Sequence, residues 1–271
     1  MATQKLNQMV SRTDLETQAN TLRECYNSGE STSPVIATLA GATIEDAYTI
    51  QAINTDFWEK SGRTIVGAKV GLTAKTVQTQ LGVDQPDFGH LFSDMSINDG
   101  AVIPAGKLLQ PKVEAEIAFV LKRSINTGRM TTAELIDSVA YALPALEIVD
   151  SRIADWNISI IDTIADNASS GLFVLGSKAA PLADIDLRLA GMVLEKNGVP
   201  VSFGAGAACL GNPLHALGWL AQKMAEVGRP LKMGDIILAG ALGPMVSVEP
   251  GDSIEARIEN LGSVRVRFEK E

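Results

Sequence analysis

Histidine and cysteine are scarce in this chain, with two of each among 271 residues, and their scarcity removes several chemistries. His90 and His215 come with no GxSxG motif, so a serine-histidine triad has little basis. Cys25 and Cys209 form no CxxC pair, so neither a zinc ribbon nor a disulfide framework is indicated. Basic charge is also thin: 23 lysines and arginines face 32 acids, a net charge of −9. No cluster of them is dense enough to track nucleic-acid phosphates. No apolar run reaches the roughly 18 residues of a membrane helix. The N-terminal MATQKLNQMVSRTD lacks the apolar stretch of a secretion signal, and a cytoplasmic location is the expectation. No internal repeat or low-complexity linker is present. The length suits one large domain, or one domain preceded by a smaller lobe.

What the chain does have is a pair of acids inside an apolar run, Glu114 and Glu116 in PKVEAEIAFVL. On a strand alternate residues share a face, so both carboxylates project together, while Val113, Ala115, Ile117 and Phe119 cover the other side. Ala118 and Val120 continue the carboxylate face, which suggests a strand buried on both sides. Two buried like charges need a cation, because desolvating them unpaired costs several kcal/mol each. A divalent metal suits hard oxygen ligands. Glu147, in the apolar run ALPALEIVDSR, is a third acid of the same kind, and three carboxylates around one ion leave coordination positions open for catalysis. The competing account makes these glutamates solvent-facing and paired with lysines.

The first 60 residues or so read as helical. Thr13 and Glu16 have the spacing of a capping box, and Thr43 with Asp46 marks a second helix start, closed by Gly62. Short strands follow: TIVGAKV, GHLFSDM after a short helix over 73–81, and the ExE strand. AELIDSVAYAL predicts a helix leading into a strand that carries Glu147. Asn197-Gly198 predicts a tight hairpin turn, and Asn212-Pro213 opens a helix ended by Gly228. The C-terminal stretch is strand-turn-strand. Strand and helix do not alternate regularly, so a doubly wound parallel sheet is not expected. An α+β fold is, with a helical lobe over 1–63 and a mixed, twisted β core over 64–271. GAGAACLG from Gly204 follows a strand as a dinucleotide loop does, but Cys209 stands where the third glycine belongs. His215 reads as a helix-packing residue.

The stretches VGAKVGLT, LGVDQPDFGHLF, LLQPKVEAEIAFVL, LPALEIVDSRI, DTIADNASSG, GDIILAGALGPM and PGDSIEARIENLGSV resemble, in the same order, the 2-oxopent-4-enoate (2-hydroxypentadienoate) hydratases of aromatic meta-cleavage pathways. These belong to the hydratase/decarboxylase branch of the fumarylacetoacetate hydrolase superfamily. The resemblance runs from about residue 40 to the C-terminus and implies that superfamily's β-sandwich or roll core. It implies Mg2+ or Mn2+ held by Glu114, Glu116 and Glu147, with no organic cofactor. The implied reaction protonates a 2-hydroxydienoate at C5 and adds water at C4. Lys69, in VGAKVGLT, is then the counter-charge for an anionic substrate, though a lysine at a strand edge can also be a surface residue. Asp87, in QPDFGH, is the candidate proton shuttle, or else a turn-former bonded to its own backbone. Ser169, in DNASSG, is placed near the substrate carboxylate with neighbouring backbone amides, whereas Asn167 reads as a turn-builder. Gly240 to Pro244, in AGALGP, resemble the loop that closes the pocket, with Gly243 and Pro244 as its substrate-binding residues.

Related readings stay open. The 2-oxo-3-hexenedioate (4-oxalocrotonate) decarboxylases share the ExE site and DNASS motif, although QPDFG and GALGPM are closer to the hydratase pattern. A hydratase for a longer or dicarboxylic 2-oxo-enoate also fits. An acylpyruvate hydrolase fits less well, because such enzymes use a histidine-glutamate pair and His90 is the sole histidine upstream of the ExE strand. A silent subunit that steadies another enzyme is opposed by the intact acid set. The resemblance further implies a homo-oligomer, pentameric or decameric, with apolar residues of the N-terminal helices at an interface, and association with a pathway decarboxylase or aldolase.

Overall fold

A computed structural model describes residues 10–75, 78–79, 82–126 and 129–270. The chain begins with three helices, α1 (Arg12–Ser28), α2 (Val35–Thr38) and α3 (Ile44–Lys60). Strands then dominate: β1 (Ile65–Gly71), β2 (Asp87–Phe92), β3 (Ser96–Ile97), β4 (Val102–Ile103) and β5 (Pro111–Leu121). Helix α4 (Thr132–Ser138) leads into β6 (Val139–Asp150), and α5 (Ile160–Ala165) into β7 (Ser170–Leu175). The hairpin β8 (Gly191–Lys196) and β9 (Val199–Ala205) precedes α6 (Pro213–Glu226). Last come β10 (Ile236–Ala241), β11 (Val246–Ser247), β12 (Ser253–Ile258) and β13 (Gly262–Phe268).

The strands form two sheets. One runs β2-β1-β10-β5-β6-β7-β3 with β11 added beside β5, and the other runs β4-β13-β12-β8-β9. The β1–β10 pair is parallel and β5–β6 antiparallel, so the fold is mixed α+β. The ExE strand β5 lies in the middle of the larger sheet. Val113, Ala115, Ile117 and Phe119 on one face are fully buried, as are Glu116 and Ala118 on the other, which is why its apolar run continues through both parities.

The N-terminal helices share an apolar cluster, Leu15, Leu22, Val35 and Ile50, with Ile153 and Ile164 from the later chain. Gln51 of α3, buried, donates its side-chain amide to Phe88 O at 2.8 Å and Ile164 O at 3.0 Å. One side chain thus fixes α3 against both β2 and α5, the elements that carry Asp87 and Thr163. The expected turn Asn197-Gly198 is present, both residues left-handed with φ of 55° and 77°, joining β8 to β9. Thr43 caps α3 through a reciprocal box with Asp46, and Asn212 with Pro213 opens α6.

Three expectations shift, and a fourth reading, the dismissal of GAGAACLG as a dinucleotide loop, gains a physical reason. Helix α1 is capped by Ser11 in a reciprocal box with Asp14; Thr13 lies inside the helix, and Glu16 pairs with Arg12 at 2.9 Å. The helix read through AELIDSVAYAL stops at Ser138. Tyr141 and Ala142 instead pair with Val120 and Phe119 of β5, and strand pairing overrides the helical propensity of alanine and leucine. His215 does not pack in the core: it is exposed, with Nδ1 3.0 Å from Leu210 O. In GAGAACLG, a Cβ on Gly204 would fall 1.8 Å from Leu242 O and one on Gly206 1.7 Å from Leu187 O. These glycines permit close backbone crossing rather than phosphate binding. The short helix expected over 73–81 lies partly outside the described residues.

Candidate active site

Strand register assembles the acids. Glu114 of β5 stands directly opposite Glu147 of β6, and Glu116 lies between Ala145 of β6 and Ala241 of β10. One ligand oxygen from each of the three glutamates lies within 4.8 Å of the others. Glu116 is 0% and Glu147 1% exposed, whereas Glu114 is half-buried at the cavity wall. Oε1 of Glu116 and both carboxylate oxygens of Glu147 have no hydrogen-bond donor. Glu116 Oε2 accepts the Gly240 N–H at 2.7 Å. That N–H is free because the β5–β10 register shifts between Leu238 and Ala241, and Gly240 adopts φ of 111° there. The bulge turns a backbone donor from the ladder onto a carboxylate.

Lys69 of β1 is 3% exposed, not a surface lysine, and its Nζ lies 3.1 Å from Glu147 Oε1. The contact is an ion pair by distance without hydrogen-bond alignment, so that oxygen still lacks a donor. Burial opposes the Lys69 ammonium, but Glu147, Asp87, Glu114 and Glu116 outweigh it and raise its pKa. One ammonium does not neutralise three carboxylates. Burial, and then repulsion from Glu147, pushes Glu114 up to about 7 and Glu116 well above its ordinary value. Orphaned hard oxygens carrying surplus negative charge fit a divalent cation of the Mg2+ or Mn2+ type.

Asp87 opens β2 across from Gly71. Its Oδ2 accepts the Thr163 hydroxyl of α5 at 2.7 Å, and its Oδ1, fully buried, has no donor. The pKa of Asp87 is raised by burial against the opposing pull of Lys69 and Thr163. A Cβ on residue 71 would sit 2.2 Å from Asp87 Oδ1, so glycine there leaves the carboxylate its room. The carboxylate's side-chain partner thus comes from α5, 76 residues along the chain.

Ser169 closes three successive left-handed residues, Asn167, Ala168 and Ser169, with φ of 54°, 52° and 52°. Such backbone costs on the order of 1–2 kcal/mol per alanine-like residue and persists only when neighbours hold it. Asn167 does this work, as its turn-building reading requires. Its Oδ1 accepts His90 N at 2.7 Å and its Nδ2 donates to His90 O at 2.9 Å. The Ser169 hydroxyl is buried without a partner, while its backbone N–H is spent on Asp166 O at 3.0 Å. Of the groups expected on Ser169 itself, only the hydroxyl is free for a ligand.

Lys69, Asp87, Glu114, Thr163 and Ser169 line one cavity of about 290 Å³. Its apolar wall comes from Leu72, Val149, Ile158 and Met245, and Lys112 and Trp156 complete it. Gly243 and Pro244 do not line it. A Cβ on Gly243 would meet Met192 Cε and Phe203 O, each 2.7 Å away, and Pro244 O accepts the Ser202 hydroxyl at 2.7 Å. This part of the loop is drawn onto the second sheet, and Met245, just beyond it, reaches the cavity. His90 is on the opposite face of β2 from Asp87 and faces a different cavity. Thr163, Lys112, Trp156 and Met245 escaped the sequence reading. Lys112 was within reach, since 112, 114 and 116 share strand parity; Trp156, held in left-handed backbone with φ of 53°, offered no periodic signal.

With the geometry in place, comparisons add lineage. Residues 64–269 match the family described as fumarylacetoacetate (FAA) hydrolase, C-terminal. The chain is 54% identical over 254 residues, 94% of each chain, to a 2-keto-4-pentenoate hydratase of Paraburkholderia xenovorans. It is 52% identical to 2-keto-4-pentenoate hydratase 1 of Dechloromonas aromatica, over 93% of this chain and 96% of that one. Among solved structures, 4-oxalocrotonate decarboxylase of Pseudomonas putida, complexed with magnesium and adipate, superposes with a TM-score of 0.92. It is 36% identical and covers 96% of this chain and 99% of its own.

Proposed function

The chain belongs to the fumarylacetoacetate hydrolase family, and from that premise we propose that it is a hydro-lyase converting 2-hydroxypenta-2,4-dienoate, through 2-oxopent-3-enoate, to 4-hydroxy-2-oxopentanoate. The observation that carries the reading is the convergence of Glu114, Glu116 and Glu147, two of them with unpaired oxygens, beside a buried Lys69 that lines a small cavity together with Glu114. The 54% identity to a 2-keto-4-pentenoate hydratase supports the substrate. Glu114, Glu116 and Glu147 would hold Mg2+ or Mn2+, which when bound supplies Lewis-acid stabilisation of charge on the substrate's C2 oxygen.

The chain's own groups do the rest. The Lys69 ammonium, kept protonated by its acidic neighbours, offsets the substrate's negative charge and donates to its carboxylate or C2 oxygen. The Ser169 hydroxyl, lacking any internal acceptor, donates to the carboxylate. Asp87 moves the protons. Its raised pKa and free Oδ1 suit a group that delivers to C5 the proton leaving the C2 hydroxyl. It then takes a proton from the water attacking C4 and returns it to C3. Net, one water is added: hydroxide to C4 and a proton to C3.

The test is to incubate metal-replete protein with 2-hydroxypenta-2,4-dienoate, follow loss of the dienol absorbance and weigh the product, with a chelated sample alongside. Metal-dependent gain of one water is the expected result. A second reading, decarboxylation of 2-oxo-3-hexenedioate, draws on the 0.92 TM-score with the decarboxylase. It is disfavoured by identity, 36% to the decarboxylase against 54% to the 2-keto-4-pentenoate hydratase. Carbon dioxide release in a parallel tube, without hydration, would reverse that preference.

The same reading includes a cytoplasmic homo-oligomer, pentameric or decameric, acting beside a pathway decarboxylase or aldolase. Exposed Tyr26, Ile36 and Phe57 on the N-terminal helices support an apolar contact between copies, which light scattering on the purified chain would measure.

A further inference from the structure

A second cavity, of about 480 Å³, is lined by the segment 103–112, by Val248, Glu249 and Pro250, and by Phe268 and Glu269. It contains none of the three clustered glutamates, nor Lys69, Asp87 or Ser169. Two side chains, Lys112 and Trp156, line both cavities. We propose that Trp156 is the wall between them and the residue that limits how long a tail the substrate can carry beyond C5. The proposal rests on the 2-oxo-acid reading of the first cavity and specifies which members of that class it takes.

Trp156 is tied down at both its ring and its backbone. Its indole N–H donates to Gln110 O at 3.0 Å, and the preceding amide, Asp155 N, donates to Gln110 Oε1 at 2.8 Å. Gln110 Nε2 in turn donates to Ser151 O at 2.9 Å and Ile153 O at 2.8 Å. One glutamine thus clamps both ends of the 151–156 loop and holds Asp155 and Trp156 in left-handed backbone, φ 58° and 53°. Strain maintained in a wall residue signals that its position matters. On the ring face, Lys112 Nζ lies 4.3 Å from the centroid, a cation–π contact that braces the indole further.

The chemistry of the second cavity defines what the wall keeps out. Ile103, Leu108, Val248 and Phe268 make it apolar, and its acids, Glu249 and Glu269, oppose its one cation, Lys112. An uncharged hydrocarbon tail would be welcome there, and a second carboxylate would not. With Trp156 in place, dienoates bearing no bulk at C5 fit the first cavity. With it shortened, the two volumes join and an aryl tail gains an apolar seat.

The experiment compares wild type, Trp156→Ala and Trp156→Phe, all Mg2+-loaded, on 2-hydroxypenta-2,4-dienoate and its 5-phenyl derivative, and reads the ratio of the two kcat/KM values. Trp156→Ala is expected to raise the phenyl-to-parent ratio by about tenfold or more, the scale of lost or gained apolar contact in a pocket. Trp156→Phe, which keeps a ring in the wall, should stay near wild type. In parallel, calorimetry measures binding of the non-reacting 2-oxopentanoate and 2-oxo-5-phenylpentanoate. An unchanged binding ratio in Trp156→Ala overturns the proposal whatever the turnover. A shifted binding ratio in a protein that hydrates no dienoate keeps the wall and sinks the hydratase reading. Should Trp156→Ala not fold, Trp156→Leu lowers the wall less and reads the same ratios.

Discussion

Two buried charge clusters share the turn around 166–170 and have opposite character. In one, Arg152 is 1% exposed and fully employed. Its Nε donates to Asp166 Oδ1 at 2.6 Å, its Nη1 to Ser170 O at 3.1 Å, its Nη2 to Asp166 O at 3.0 Å, and its backbone N–H to Asp166 Oδ2 at 3.0 Å. The Tyr26 ring covers the guanidinium at 4.7 Å, and Asp150 accepts from the amides of Leu109 and Gln110. In the other cluster, Asp87, Glu116, Glu147 and Ser169 supply five of the seven buried side-chain atoms without a partner among the described residues. Natural interiors rarely leave such atoms unpaired. The satisfied cluster is therefore structural, gripping both ends of the strained turn, and the unsatisfied one is arranged for groups that come from outside.

Breaking the satisfied cluster should be the most damaging to stability. Arg152→Met strands Asp166 in the interior and is expected to cost about 3–5 kcal/mol, read as a lowered urea midpoint at constant m-value. Glu116→Gln should do the reverse. It removes one of three mutually repelling carboxylates and keeps the acceptor for Gly240 N–H. Stability in the presence of chelator should hold or rise, while kcat/KM falls about 10²- to 10³-fold, as on loss of one preorganised electrostatic group. If Glu116→Gln unfolds the metal-free protein as readily as Arg152→Met does, the two clusters are alike and the division fails.

The unsatisfied cluster was the more legible in sequence. Period-two spacing put Glu114 and Glu116 on one strand face, and an apolar run around Glu147 marked another buried strand; both follow from local geometry alone. Thr43, Asn197-Gly198 and Asn212-Pro213 were likewise readable, because caps and turns are decided by neighbouring residues. Partners distant in sequence were not. That Asp87 would meet Thr163, or Arg152 the two ends of its turn, depends on how α5 packs against β2, which no spacing encodes. Where Gly243 and Pro244 lie was not readable for the same reason: the loop's likeness was local, and contacts with Met192, Ser202 and Phe203 of the second sheet position it. Tyr141 looked helical until β5 was available to pair with it.

His90 sharpens the comparison from the other face of β2. It is also buried with an unpaired atom, Nδ1, in a cavity lined by Glu59, Arg63, Arg229 and Asp235. Burial drives its pKa down from 6.5 to about 3, with Arg229 adding to the fall and Asp56 opposing it. The folded state thus excludes a proton that the unfolded chain accepts. The stability this group contributes is complete above pH 6.5 and is lost as pH falls toward 3. At pH 5 the loss amounts to about 2 kcal/mol relative to neutrality. Urea titrations of wild type and His90→Asn across pH 5 to 8 should show a shallower slope in the variant. An identical slope would assign the acid sensitivity elsewhere and leave His90 an inert core residue.

The smallest effect expected is also the most specific to mechanism. Thr163→Val deletes the hydroxyl that donates to Asp87 Oδ2 at 2.7 Å without altering side-chain volume much. That bond favours the ionised carboxylate, so its loss raises an already elevated pKa further. If Asp87 must be ionised to accept a proton from water, the acidic limb of the pH–rate profile should move upward. Turnover on the plateau should change by less than about tenfold. Thr163→Ser, which keeps the donor, should restore the limb. A general loosening of α5 would lower the plateau in both variants and leave the limb where it was. That outcome would leave Thr163 a packing residue and remove the case for Asp87 as the group that moves the proton.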